Sequence, residues 1–163
     1  MNTIARLLMI AVLALPLAAC NQAEDAPKAT EKVPISAPTD DDAAAWRVYV
    51  PDVVNRHMDG VTSAPFVYLL PSEASDDFQG SYDRLLDKAR SDVSRGILKG
   101  NMLAYASPNS AKTADLIVAA FADVKPGKLK GVKLLFIGKA EDSDRVKAAV
   151  EASGVNYVFV EAK

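Results

Sequence analysis

The sequence predicts a small layered α/β domain with about four mainly parallel strands and flanking helices, preceded by an N-terminal helix. Four short apolar runs rich in β-formers, FVYLL, NMLAYA, VKLLFIG and NYVFVEA, are separated by three stretches whose apolar residues recur at helical spacing. Each separation is far longer than a hairpin turn, so consecutive strands are joined by crossovers and run parallel. Uninterrupted runs such as LLFI are how strands covered on both faces read.

Taken in order, TDDDAAAWRVYVPDVVNRHMDG offers Thr39 or Asp40 as a helix cap, acids in the first turn and Gly60 as a stop. Trp46, Tyr49, Val50, Val53 and His57 share one face of that helix, and Pro51 predicts a kink in it. Residues 66–70 form the first strand. Phe78, Tyr82, Leu85, Leu86, Ala89 and Val93 then mark a helix that Gly96 ends, while Tyr82, Arg84, Asp87, Lys88, Arg90 and Asp92 read as its mixed-charge outer face. Residues 101–106 are the second strand, followed by a helix with Ser107 as cap and Pro108 in its first turn. KPGKLKG is a turn, 132–138 the third strand, EDSDRVKAAVEASG a helix ended by Gly154, and NYVFVEA the last strand. Right-handed crossovers place helices outside the sheet. Strand order does not follow from these patterns.

A chain of 163 residues, 50% apolar and 25% charged, suits one globular domain. Its net charge of −2, with no basic block interleaved by aromatics, excludes a nucleic-acid partner.

The amino terminus has its own logic. Arg6 precedes LLMIAVLALPLAA, thirteen uncharged residues interrupted by Pro16. That run is too short to cross about 30 Å of hydrocarbon, and a basic start, a short apolar stretch and small residues before a break form the layout of an export signal. Its end, Leu17-Ala18-Ala19-Cys20, resembles the lipobox of bacterial lipoproteins. The resemblance covers residues 1–21 and implies a signal peptide over 1–19, cleavage between Ala19 and Cys20, a diacylglyceryl group on the Cys20 thiol and acylation of the new amino terminus. Each buried methylene contributes about 0.8 kcal/mol, so two or more chains anchor firmly where one does not. Asn21, in a place where Asp retains well-studied lipoproteins in the inner membrane, implies the outer membrane, facing the periplasm. Cys20 is the sole cysteine, so lipidation there leaves no thiol for disulfides, redox chemistry or a cysteine zinc site. Residues 20–39, with Pro27, Pro34 and Pro38 and many charges, read as a flexible tether, and 40–163 as the single domain.

Open parallel sheets bind ligands beyond the carboxyl ends of their strands. There the sequence places Ser107, Asn109, Ser110, Lys139 and Glu141, donors near helix starts that would suit an anionic group. The competing reading is that Ser107 and Asp142 or Ser143 only cap helices, and acids in three of the loops oppose an anion. Asp76-Asp77 and Glu141-Asp142 would form a carboxylate cluster if their strands were neighbours, although acids at helix starts are favourable for dipole reasons alone. His57, the only imidazole, lies at a helix end where a cation is favourable, and no G-x-S-x-G occurs. Six residues separate Gly131 from Gly138, and Ala140 follows Lys139, so no phosphate loop is present. No metal site, cofactor or catalytic constellation is expected. The preferred expectation is a lipid-anchored, non-enzymatic module for binding, assembly or inhibition, whose partners are the bilayer through acylated Cys20 and an envelope protein or cell-wall component. The alternative is a small-ligand protein or enzyme using the crevice at the strand ends.

Overall fold

The structure, a computed structural model, describes residues 33–163. The expected signal peptide over 1–19, the expected lipidation site at Cys20 and the first part of the expected tether lie outside the described residues.

Helix α1 (Ala43–Arg56) starts where the Asp42 carboxylate accepts the N–H of Ala44 at 2.8 Å. The cap is therefore neither Thr39 nor Asp40; the Asp40 carboxylate accepts the N–H of Asp42 at 3.2 Å, and its carbonyl accepts the Trp46 indole N–H at 3.0 Å. The helix continues through Pro51, which is exposed. His57 closes α1, its N–H on Val54 O and its Nδ1 2.7 Å from Val53 O. Besides Arg56 in its own last turn, the helix end receives a cation from another element: Lys133 Nζ donates to the carbonyls of His57 and Asp59 at 2.7 and 2.6 Å.

Four strands follow, β1 (Phe66–Leu69), β2 (Met102–Ala106), β3 (Lys133–Gly138) and β4 (Asn156–Glu161), all parallel and in the spatial order 1-2-3-4. Their connections are α2 (Phe78–Arg95), α3 (Ser110–Phe121), and α4 (Ala140–Val150) with a short 3-10 turn at Glu151–Ser153. Every crossover steps one strand in the same direction, so a common handedness puts α2, α3 and α4 on one face. Their apolar stripes share a core with Tyr68, Leu103, Tyr105, Leu134 and Phe136. Alternate positions of the same strands, Met102, Ala104, Ala106, Leu135 and Ile137, form the opposite core with α1. Small alanines on β2 make room there for the bulk of Trp46 and Tyr49. Both central strands are buried along nearly their whole length, whereas β1 and β4 are only half covered.

Residues preceding α1 pass across the carboxyl ends of the strands. Ala37 N–H bonds the carbonyl of Lys163 at 3.1 Å, and Asp41 accepts from Ser72 at 2.5 Å. Among the described residues no helix is long and apolar enough to cross a membrane.

Candidate functional site

Four of the five residues singled out at the strand ends, Asn109, Ser110, Lys139 and Glu141, lie around a small hollow of about 220 Å³. Ser107 lines the adjoining one, of about 380 Å³, under residues 37–41. All five therefore cluster, but their hydroxyls have protein partners. Ser107 Oγ donates to Asn109 O at 2.5 Å and accepts from Thr113 Oγ1 at 2.7 Å. Ser110 Oγ accepts the N–H of Lys139 at 2.8 Å and donates to Asp142 at 2.6 Å, a buried charge-assisted bond tying the starts of α3 and α4 together.

The helix starts differ from the sequence expectation. Asn109, not Ser107, caps α3, its side chain accepting from Lys112 N–H at 3.2 Å and donating to Glu73. In α4 neither Asp142 nor Ser143 is the cap residue; that position is Lys139. Asp142 instead accepts two bonds from Arg145, at 3.0 and 2.8 Å, and Arg145 also reaches Asp115 at 2.6 Å, which raises the guanidinium pKa. The carboxylates at 76–77 and 141–142 do not converge, since β2 lies between β1 and β3. Asp77 pairs with Arg84 at 2.8 Å. Among the described residues no group of acids, histidines or cysteines is arranged to hold a metal ion.

A larger opening lies on the β1 side, between α1 and α2. This trough measures about 530 Å³, within the range of ligand sites. Trp46, Leu69 and Leu85 form its apolar floor, and Arg47, Arg84 and Lys88 stand around it. Pro71, Ser72 and Pro108 also line it. The trough arises because α1 and α2 flank the sheet on opposite faces and β1, the edge strand between them, is only four residues long.

The wall at Lys88 is built with care. Its ammonium lies 5.6 and 5.0 Å from the ring centres of Phe66 and Tyr68 and 2.6 Å from Asp92. Asp92 is not on an outer face: it is 5% exposed and also accepts from Tyr68 Oη at 2.7 Å and Arg95 at 2.5 Å. Burial pushes the Asp92 pKa up, but the hydrogen bonds from Lys88, Tyr68 and Arg95 outweigh it and hold the carboxyl below its ordinary range. Burial first, then the neighbouring Tyr105 and Asp92, raises Tyr68 beyond the normal phenol range. Tyr105 stacks on Tyr68 at 4.5 Å between ring centres, and its fully buried hydroxyl has no hydrogen-bond partner among the described residues.

Sequence reasoning missed Arg47, Arg84 and Lys88 as a set, because they belong to two helices that only the fold brings together. Asp92 left a signal: it is three residues beyond Ala89 and seven beyond Leu85, hence on the buried stripe. A scan against protein-family models, a search of the curated proteins and a search of the solved structures each find no match.

Proposed function

We propose that this protein is a binding module held at the periplasmic face of a bacterial outer membrane by acyl chains on Cys20, and that it engages an envelope partner through the trough between α1 and α2. The observation that carries the binding surface is the trough itself, an opening of about 530 Å³ with an apolar floor and three cationic side chains around it. The lipobox-like LAAC and the proline-rich stretch after it support the anchor. Anchoring raises the local concentration of the domain near membrane partners, so a modest intrinsic affinity suffices. The alternative, a ligand-binding or catalytic crevice at the strand ends, would require Ser107 and Ser110 to release the partners described above.

Two experiments test the reading. Intact mass of the processed chain is expected to show an acylated Cys20 at the amino terminus, with Cys20→Ala shifting the protein out of the membrane fraction; an unmodified thiol sinks the anchor. A photocrosslinking residue at Ser81, in the trough wall, is expected to give a discrete adduct in intact cells. The same probe at Lys125, at the opposite end of the strands, is expected to give none. Equal labelling from both positions would remove the trough from the reading.

A further inference from the structure

The charge around the trough narrows what it takes. The chain carries a net −2, yet the residues lining this opening include Arg47, Arg84 and Lys88 and no carboxylate. Four other hollows among the described residues each have at least one acid in the wall: Asp40 and Asp41 in the one under residues 37–41, Glu73 and Glu141 at the starts of α3 and α4, Asp123 near the end of α3, and Asp52 and Glu161 beside Pro34. The cations differ in how they are held. Arg47 is exposed and has no ion-pair partner among the described residues. Arg84 pairs with Asp77, but both side chains are 68% exposed, so a ligand carboxylate displaces that contact at little cost. Lys88 is fixed from beneath by Asp92, whose single charge it shares with Arg95, leaving this wall net positive.

The mode of engagement follows from the edge strand. Leu70 N–H bonds Ala106 O at 3.0 Å, so alternation turns the backbone of residues 66, 68 and 70 toward β2 and that of 65, 67, 69 and 71 outward. Two of those outward positions are Pro65 and Pro71, which have no N–H to donate. Only Val67 and Leu69 are left with outward N–H groups, so a guest gains little by extending the sheet along β1 and is recognised mainly through its side chains.

Resting on the trough reading, we infer that the occupant is an acidic segment of a partner protein: an extended peptide that sets carboxylates against Arg47 and Arg84 and an apolar side chain on Leu69 and Leu85. An open trough suits a peptide lying across it better than a small molecule, most of whose surface a pocket buries. Arginine forks also match carboxylates two bonds at a time.

Trp46, the only tryptophan in the chain, lies in the floor and reports occupancy by its own fluorescence. The full chain as isolated from the cells that make it is panned against a phage library of random twelve-residue peptides, in parallel with a double variant, Arg47→Glu with Arg84→Glu, and a control double variant, Lys125→Glu with Lys130→Glu. The expected result is enrichment of peptides rich in Asp and Glu around one apolar residue. The recovered peptide should shift Trp46 emission saturably, and the trough double variant should weaken it at least about tenfold, the control leaving it unchanged. Enrichment without acidic bias, or insensitive to the trough charges, overturns the inference while leaving a Ser81 adduct, and hence the trough reading, standing. Absence of any enriched peptide, with dodecyl phosphate alone shifting Trp46 emission, overturns it in favour of an anionic amphiphile. No response to either probe together with no adduct at Ser81 removes both the inference and the reading beneath it.

Discussion

Asp92 shows how one side chain can link a core to a surface. It sits on the buried stripe of α2, accepts from Tyr68 on β1, and holds Lys88 and Arg95 at the rim. Replacing Asp92 with Asn keeps the shape and one acceptor but removes the charge that two cations share. The expected loss at neutral pH is about 1–3 kcal/mol, read by urea unfolding. Its pH dependence has a definite sign. The folded carboxyl lies below its unfolded pKa of about 3.9, so its stabilisation is complete above that value and disappears as pH falls through the lower folded value. The gap between wild type and Asp92→Asn should therefore narrow as pH falls below about 3.9; a gap that stays constant as the pH is lowered through that range would contradict the linkage. Tyr105 makes the opposite case. Its hydroxyl is buried without a partner, so Tyr105→Phe removes an unsatisfied group while preserving the stack on Tyr68. Thermal unfolding of Tyr105→Phe should show stability equal to wild type or higher by up to about 1 kcal/mol.

Between elements, contacts at the strand ends set the packing tolerances. Gly138 ends β3 where a Cβ would come within 2.5 Å of the Phe136 ring and 2.6 Å of Ser110 Oγ. Ser110 cannot retreat without giving up both the Lys139 N–H and Asp142, the bonds that join the starts of α3 and α4. Gly138→Ala is expected to cost about 1–3 kcal/mol, measured as a lower urea midpoint, with Ala140→Gly as a nearby exposed comparison. The two edges of the sheet are protected differently. Pro65 and Pro71 bracket β1, while the end of β4 is met by Ala37, whose N–H takes the carbonyl of Lys163. Element identities were legible because each follows from local chemistry: apolar spacing of 3.6 for α2, continuous apolar residues for β3, glycine after the last helical turn for Gly96 and Gly154. Caps were less legible. Ser107 and Asn109 are both good capping residues two positions apart, and the choice between them depends on Thr113 and Glu73, which local sequence does not connect to them.

At the scale of the molecule, a single sheet lies between α1 on one face and α2, α3 and α4 on the other. The strand order 1-2-3-4 never reverses, so the sheet has no switch point of the kind that opens a ligand crevice in doubly wound folds. Residues 37–41 lie over the strand ends instead, and a larger opening of about 530 Å³ falls at the β1 edge. Both cores share the same strands, so the two faces are expected to unfold together. Unfolding in urea followed by Trp46 fluorescence, which reports the α1 face, should coincide with unfolding followed by far-ultraviolet circular dichroism, dominated by the three helices opposite. A Trp46 transition at clearly lower urea would show that α1 detaches independently.

By itself the sequence determined the class of fold, the number and direction of the strands and the nature of each helix, and it raised the expectation of a lipid anchor at Cys20. The fold properties are carried by neighbours along the chain: an apolar period, a glycine after the last helical turn, a crossover too long for a hairpin. Only the tertiary structure decided strand order, the burial of Asp92, the commitment of Ser107 and Ser110 to protein partners, and the meeting of Arg47 with Arg84 and Lys88. Periodicity says which face of an element must leave water, but what covers that face depends on contacts between residues tens of positions apart, and these form only when the sheet closes.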